Sequence, residues 1–228
     1  MNGKRAEGML MRVLVYIWVL VWLGGPAAAG PWLREPGHGF ASLKTEYDAD
    51  SGDSYVSLFA EYGWNERLTL GLDMGGTGES MDKAMAFSRV ALRWSPFDFK
   101  TAMELGAGYY WRQGMRRPVA RPGLSIGRGL TVAGRSGWIA LDARAVLFQD
   151  YPEIDWEGEL TFGVNLSERA KAIVQIQGGD PFRSGRYFKL SPSWVWEWRT
   201  GRHLELGATA GLQNSKARAV SLALWHHF

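Results

Sequence analysis

The sequence predicts an all-β protein, a transmembrane up-and-down antiparallel β-barrel, and three observations lead to this fold class. From Gly39 onward, apolar and polar residues alternate in segments of about ten residues, as in membrane-crossing strands. Gly, Asn, Asp and Ser separate these segments. The 228 residues include 12 Trp, 8 Tyr, 10 Phe and 29 Gly, yet the mean hydropathy is only −0.19. Such a value is typical of strands whose polar face masks their apolar face.

Residues 1–29 predict a cleaved signal peptide. Three basic residues within 4–12 precede an apolar run at 13–23, and three alanines follow at 27–29. A helix over this run would reach only ~17 Å, short of a hydrocarbon core of ~30 Å. An uncleaved membrane anchor is therefore the weaker alternative. We predict cleavage after Ala29, which leaves residues 30–228 as one barrel domain.

The composition limits the classes of function. Of the 26 Lys and Arg and the 23 Asp and Glu, three bases and one acid lie in the predicted signal peptide, which leaves a net charge of +1. The basic isoelectric point is therefore no argument for a nucleic-acid partner. The absence of cysteine excludes a lipoprotein anchor, a disulfide framework and a thiolate site. After residue 29, no apolar run approaches the roughly 18 residues of a membrane-spanning helix.

The alternation predicts twelve strands, with ten or fourteen as alternative counts. An even count brings both chain ends to one rim, expected to face the periplasm, with tight turns there and somewhat longer loops at the opposite rim. Pro122 and Pro192 fall inside strands, where each removes a ladder donor, so we expect a bulge or register change at both. The predicted strands cover residues 40–47, 54–64, 68–75, 84–95, 101–112, 119–130, 137–149, 153–166, 171–178, 187–199, 203–213 and 218–228.

A soluble β-sandwich or a lipocalin-type barrel would show the same alternation, but two features favour a membrane barrel. The polar face carries carboxylates and bases at mid-strand positions, which the interior of a soluble protein would not hold. Aromatic residues gather at the ends of the apolar face, as interfacial girdles do. The girdle residues are Tyr62, Trp64, Trp94, Trp198 and Phe228 toward one rim and Tyr47, Tyr109, Trp111, Trp156 and Phe188 toward the other.

Charged residues on the polar face are expected to line the lumen. Twelve strands give a backbone radius of roughly 12 Å, and Arg and Glu side chains reach ~6 Å inward, so the lumen is narrow or absent. Either opposite charges pair into a lattice within a nearly closed barrel, or they form a polarised, water-filled constriction. The predicted lumen residues are Lys44, Glu46, Glu61, Asp73, Arg89, Arg93, Glu104, Arg112, Arg121, Asp142, Arg144, Asp155, Glu157, Glu159, Lys171, Lys189, Glu197 and Glu205.

No catalytic, cofactor-binding or metal-binding residue is predicted, and no cofactor is expected. His38, His203, His226 and His227 all map to the rim that carries the chain ends, away from outer-leaflet substrates and from a Ser that they could activate. Residues 75–78 are glycine-rich but lack the helix and Lys of a phosphate-binding loop. The sequence therefore favours a narrow passive channel for ions or small solutes. A closed structural or adhesive barrel is the alternative, and a lipid- or lipopolysaccharide-modifying enzyme comes third.

Two segments carry a family resemblance. Residues 218–228 end on Phe228, with apolar residues at every second position, and resemble the closing strand of bacterial outer-membrane barrels. Residues 61–72, EYGWNERLTLGL, resemble a hairpin of uncharacterised, porin-like proteobacterial outer-membrane proteins, within a similar stretch at 32–72. The resemblance implies a multi-pass outer-membrane location, contact with lipids and lipopolysaccharide, and Phe228 as the signal for the barrel-assembly machinery. It implies no substrate. Residues 194–198, WVWEW, would suit a homo-oligomeric contact as well as a lipid contact.

Overall fold

A computed structural model describes residues 30–78, 80–93, 96–112, 114–149, 152, 154–181, 185–215 and 218–228. The predicted signal peptide lies outside the described residues. The described part contains twelve strands, as predicted, and one 3₁₀ turn at Pro96–Asp98. The strands are β1 (Gly39–Asp48), β2 (Ser54–Asn65), β3 (Leu68–Thr77), β4 (Ser80–Ala91), β5 (Lys100–Arg112), β6 (Met115–Val132), β7 (Arg135–Phe148), β8 (Ile154–Asn165), β9 (Ala170–Asp180), β10 (Tyr187–Arg199), β11 (Arg202–Gln213) and β12 (Arg218–His227).

The strands form one closed barrel in which each strand pairs antiparallel with its sequence neighbours and β1 pairs with β12. This last pairing, the seam, runs from Phe40 opposite His227 to Asp48 opposite Ala219. At its end, Gly39 and Phe228 exchange two backbone hydrogen bonds of 2.6 and 3.0 Å. We call the rim at this end the terminal rim and the opposite one the distal rim. Among the described residues, no helix is long and apolar enough to cross a membrane.

The two faces of the wall have the polarity that a lipid environment requires. On β3, Leu70 and Leu72 point outward and are exposed, whereas Thr69 and Asp73 point inward and are buried. The same alternation runs round the barrel, so charged side chains are enclosed and apolar side chains form the outer belt. A soluble barrel would have the opposite arrangement, because its apolar residues would fill the core. The protein is a transmembrane barrel.

Aromatic residues stand at both edges of the outer belt. Toward the terminal rim, Tyr62, Trp64 and Trp198 are exposed, and toward the distal rim Tyr47 and Trp156 are exposed. Amphipathic rings at these two levels match the interfaces of a bilayer with its headgroups. Trp94, predicted for the first girdle, lies outside the described residues.

The connections differ from the prediction at both rims. The predicted glycine-rich loop after β3 is mostly strand, because β3 continues to Thr77 and β4 begins at Ser80, with a bulge at Gly75 and Gly76. The predicted loop at residues 113–118 is likewise shortened, since β6 begins at Met115. At the terminal rim, by contrast, residues 92–99 form a long connection that contains the 3₁₀ turn. The prediction that every terminal turn is tight was therefore wrong for this connection. Four of the six distal connections span four to six residues and are longer than the two-residue turns after β2, β6 and β10, as predicted. The residues that extend the β3–β4 and β5–β6 hairpins include polar, inward-facing side chains. Their composition therefore predicted loops, although they belong to strands.

Neither in-strand proline shifts the register. Pro122 pairs regularly with Leu105 on β5, and Pro192 pairs with Val174 on β9. On the other side of each proline, toward β7 for Pro122 and β11 for Pro192, two successive residue pairs are missing from the ladder. The pairs before and after this gap keep the same register. The expected bulge was wrong because the flanking hydrogen bonds of a long hairpin hold the register when one donor is missing.

Candidate functional site: the barrel interior and its N-terminal strap

Opposite charges on β2 to β7, the lattice sector, pair into a continuous network that we call the interior lattice. Arg89 lies between two carboxylates: its Nη1 donates to Glu61 Oε1, and its Nη2 donates to Glu104 Oε2 at 2.8 Å. These three side chains are at most 2% exposed. Buried ions are tolerated only when they are paired and hydrogen-bonded, so the pairing permits this charged interior. The lattice comprises Glu61, Asp73, Lys83, Arg89, Glu104, Arg121, Asp142 and Arg144.

Glu104 is the centre of the interior lattice. Besides the bond from Arg89, it accepts hydrogen bonds from Arg121 Nη2 and from Arg144 Nε, both at 3.3 Å. Arg121 also donates through Nη1 to Asp73 Oδ2 at 2.7 Å, which links β6 to β3 across two intervening strands. Three guanidinium groups thus share one carboxylate. Loss of its charge would leave all three undercompensated in a buried site.

Inward-facing glycines give these long side chains room to lie along the wall. A β-carbon added to Gly123 would lie 3.1 Å from Arg144 Cγ. One added to Gly71 would lie 2.2 Å from the Phe87 ring, which stacks on the neighbouring Phe59 with ring centroids 5.7 Å apart. The bulky side chain of one strand therefore covers the glycine of the next. This complementarity packs the lattice sector densely.

Two polar contacts near the distal rim bridge β5 to β8. Tyr110 donates its hydroxyl hydrogen to Glu157 Oε1 at 3.1 Å, and Arg112 Nη2 donates to Asp155 Oδ2 at 2.9 Å. These contacts pass over the inward face of β6 and β7 and extend the packed region toward the distal rim. Tyr110 also belongs to a buried apolar cluster with Met85, Val119 and Val146.

The remaining wall, formed by β8 to β12 and β1, is more open in its distal half, and we call it the solvated sector. Lys44 and Glu46 lie 3.5 Å apart, with side chains 26% and 27% exposed. Glu159 accepts hydrogen bonds from the uncharged Gln175 at 2.8 Å and Gln177 at 3.0 Å. Solvent therefore reaches polar groups here that are held by weaker, mostly neutral partners. The half-buried inward residues are Lys44, Glu46, Glu157, Glu159, Gln175, Gln177, Lys189 and Ser193.

The chain just before β1 turns into the barrel interior, and we call residues 30–37 the strap. At the terminal rim, a parallel bridge pairs Pro36 with Gly63 of β2, and Gly37 N donates to Gly63 O at 2.9 Å. A β-carbon on Gly63 would lie 2.1 Å from Glu35 O and 2.7 Å from Arg34 O. Only glycine at this position lets the strap approach β2 so closely.

Arg34 fixes the middle of the strap. Its Nε donates to Glu61 Oε2 at 2.8 Å, and its backbone N donates to Thr69 Oγ1 at 2.9 Å. Its guanidinium carbon lies 4.6 Å from the centroid of the Phe40 ring, within range of a cation–π interaction. Burial lowers the pKa of Arg34 from its ordinary value, although Glu61 acts to raise it. Arginine stays protonated in proteins, so Arg34 adds one cation to the interior lattice.

Beyond Arg34, the strap reaches the opposite wall. A β-carbon on Gly127 of β6 would lie 2.9 Å from Pro31 Cγ and 3.0 Å from the Trp32 ring, and Gly30 lies against Ala140 of β7. Residues 30–35 can extend about 20 Å, which is most of the roughly 24 Å backbone diameter of a twelve-stranded barrel. The strap therefore crosses the interior from β2 to β7.

The terminal end of the solvated sector is closed by rings. The Phe40 and His227 rings have centroids 4.9 Å apart, and His203 lies 5.2 Å from His227. All three side chains are buried. The four histidines lie at the terminal rim, where the sequence placed them. Among the described residues, no cluster of three or more His, Asp and Glu side chains is arranged to hold a metal ion.

Seventeen of the eighteen predicted lumen residues lie in strands, and the exception is Arg93. Because β4 ends at Ala91, Arg93 lies in the following connection and is exposed. Seven of the seventeen belong to the interior lattice. Asp155 and Glu205 are also buried, whereas Arg112 is exposed at the distal end of β5. Half-buried are Lys44, Glu46, Glu157, Glu159, Lys171, Lys189 and Glu197.

Sequence reasoning missed two cations of this site. Lys83 pairs with Asp73 at 2.7 Å, but it lies in residues 76–83, between the predicted strands 68–75 and 84–95. Arg34 precedes the first alternating segment, so no strand pattern marked it. The available signal was Gly63, a glycine within a strand, which often marks close approach of another backbone.

Comparison with solved structures finds similar folds among β-barrel proteins, two of which are named as porins and one as an outer-membrane protein. The chain is similar to the KdgM porin with a TM-score of 0.63 and 8% identity, over 83% of this chain and 99% of that one. It is similar to the NanC porin with a TM-score of 0.57 and 6% identity, over 81% and 97%. For the outer-membrane protein Omp33 of Acinetobacter baumannii, the TM-score is 0.54 and the identity 7%, over 85% and 99%.

At these identities the likeness is one of fold. The chain is an outer-membrane β-barrel protein. The resemblance inferred from the closing strand is thus confirmed for architecture and location. No protein-family model and no curated protein matches the chain.

Proposed function

We propose that the protein is a narrow passive channel for ions or small solutes, and that the solvated sector lines its route. The observation that carries this proposal is the half-buried polar wall of β8 to β12 and β1, beside a sector that is packed shut. Structurally similar barrels that are named as porins support the same function for this protein. A passage along this wall is narrow, because the interior lattice occupies the rest of the cross-section.

The charges along the route favour cations. The half-buried carboxylates Glu46, Glu157, Glu159 and Glu197 on this wall outnumber the half-buried cations Lys44, Lys171 and Lys189. Glu159 accepts hydrogen bonds from amide donors, and the Arg144 guanidinium that attracts it is shared with Glu104, Asp142 and Glu157. Four carboxylates act on this one cation, so negative charge remains toward the lumen. A lumen with excess negative charge raises the local concentration of cations and repels anions.

The strap crosses this interior between the route and the terminal rim. Ions or solutes that move along β8 to β12 must therefore pass the strap or displace it. In this conformation, the barrel is a closed or weakly conducting channel, and conduction increases when residues 30–37 leave the interior.

A closed structural barrel is the second candidate. The dense lattice and the strap favour it, because together they fill the interior with satisfied ion pairs. In that case, the protein would stabilise the membrane or present its outer loops without transport.

Planar-bilayer recording distinguishes the two. The chain that begins at Gly30 is compared with a chain that begins at His38 and so lacks the strap. We expect discrete conductance steps from the strapless barrel, and smaller or rarer steps from the complete one. Heat-dependent electrophoretic mobility verifies that both are folded. A silent bilayer for both folded proteins would establish the closed barrel instead.

A further inference from the structure

We propose that Asp142 is the binding site for the α-ammonium group that signal-peptide removal creates at Gly30, and that this ion pair fastens the strap across the interior. The inference concerns the strap alone and holds for a conducting or a closed barrel. It assigns a purpose to the point of cleavage: the first residue of the mature chain becomes part of the interior.

Gly30 lies directly against the carboxylate of Asp142. A β-carbon built on Gly30 would be 3.4 Å from Asp142 Oδ2 and 3.2 Å from Ala140 Cβ. The Gly30 nitrogen is about 2.5 Å from that position, so it lies within roughly 6 Å of Oδ2. Opposite charges at this separation attract appreciably, and more strongly in a buried site than in water.

The carboxylate is oriented to receive a further cation. Asp142 is only 5% exposed. Ser125 donates its hydroxyl hydrogen to Oδ1, and Arg144 Nη2 lies 3.8 Å from the same oxygen. Arg144 also donates to Glu104, so its charge is shared. The oxygen that faces Gly30 is Oδ2, and a carboxylate oxygen accepts more than one hydrogen bond.

Glycine suits this position for two reasons. Gly30 has a φ of +75°, a left-handed conformation that other residues adopt at a cost. A side chain would also press on Ala140, whose Cβ would be only 3.2 Å away.

The charge arises by hydrolysis. A leader-removing peptidase adds water across the Ala29–Gly30 peptide bond, which leaves a carboxylate on Ala29 and an amine on Gly30. The amine takes up a proton and becomes an ammonium group. Before cleavage the Gly30 nitrogen is a neutral amide, so the attraction to Asp142 exists only in the processed chain. Arg34 with Glu61 then holds the middle of the strap, and Asp142 holds its end.

The test has three measurements. Mass spectrometry of the protein from outer membranes is expected to give Gly30 as the first residue. In the folded protein, an amine-selective reagent near pH 7 is expected to modify the α-amine at least about tenfold more slowly than in the unfolded chain, because ion pairing stabilises the protonated form by a pKa unit or more. The Asp142→Asn variant should lose this protection, while Asp155→Asn, which removes a buried carboxylate on the neighbouring strand, should keep it.

A third measurement does not depend on how Asp142→Asn folds. The chain has no cysteine, so Leu33→Cys is a unique reporter of strap accessibility. Acetylation of the Gly30 amine removes the charge from an otherwise identical barrel, and we expect maleimide labelling of the reporter to accelerate about tenfold. A different first residue, an α-amine as reactive as in the unfolded chain, or a labelling rate unchanged by acetylation would each overturn the proposal.

Discussion

The two sectors of the barrel interior contain the same kinds of side chain but differ in how these side chains are paired. In the lattice sector, Arg89 and Glu104 meet charged partners on both sides and are buried. In the solvated sector, Glu159 meets amides, and solvent reaches it. The difference teaches that the pairing of charges, rather than their number, decides which part of the wall is sealed. A charged lumen is packed where each ion has buried partners of opposite charge, and open where its partners are neutral or solvent-exposed.

The largest effect is expected from the centre of the interior lattice. Glu104→Gln keeps the shape of the side chain but leaves three guanidinium groups without their shared negative charge. Breaking a buried ion pair in this way costs about 3–5 kcal/mol of folding free energy. Urea-dependent unfolding in lipid vesicles, followed by Trp fluorescence, measures the loss.

The matched control is Glu159→Gln in the solvated sector. It removes the same charge from a half-buried site whose hydrogen-bond donors are neutral amides, and we expect it to cost less than about 1 kcal/mol. Equal losses for the two variants would contradict the division of the interior into two sectors.

An intermediate effect is expected where the strap touches β2. Gly63→Ala places a β-carbon 2.1 Å from Glu35 O, and all three of its nearest neighbours are backbone atoms of the strap. Overpacking of this kind costs about 1–3 kcal/mol, and the strap gives way more easily than the barrel wall. The variant should therefore conduct more than the unmodified protein.

The chain that begins at His38 provides the control for this substitution. Without the strap, Gly63→Ala has no neighbour to displace, so its conductance should equal that of the strapless barrel with Gly63. A further change in conductance there would mean that the substitution acts on the barrel wall.

The smallest change in stability, but a clear change in selectivity, is expected from Glu159→Lys. Reversal of one charge on the solvated wall should move the reversal potential in a KCl gradient toward anions. The shift should shrink as salt screens the lumen, since the Debye length falls from ~10 Å at 0.1 M to ~3 Å at 1 M.

Arg93→Ala is the reference for this measurement. It also changes one charge, but Arg93 lies beyond the end of β4 and is exposed. Its reversal potential should match that of the unmodified barrel. Identical potentials for Glu159→Lys and Arg93→Ala would show that ions do not travel along the solvated sector.

Sequence patterning predicted the wall well because a barrel strand obeys a local rule. Alternation assigned Leu70 and Leu72 to lipid and Asp73 to the interior, and the count of twelve strands followed from the turns between segments. It failed where the local composition is typical of a loop but the residues pair as strands. Residues 76–83 are rich in Gly and polar groups, yet they extend the β3–β4 hairpin, because inward positions near the rim tolerate both.

The contacts inside the barrel were less predictable. Arg89 pairs with Glu104 on the adjacent strand, as strand order alone would suggest, but Asp73 pairs with Lys83 and with Arg121, which lies three strands away. Long side chains lie across inward glycines and skip strands, so their reach depends on packing that alternation does not encode. The strap was not predicted at all, because its position depends on contacts with distant residues such as Gly63 and Gly127.

The direct connection between the strap and β1 has a consequence for biogenesis. The seam joins the first strand to the last, so the barrel is closed only when the two ends of the sheet meet. Until then there is no enclosed cylinder for residues 30–37 to cross, and afterwards the short way in is from the terminal rim, where the strap joins β1. Sealing of the cylinder and occupation of its centre therefore involve the same end of the chain. The segment that obstructs the interior is continuous with the strand that closes it, so the two arrive together.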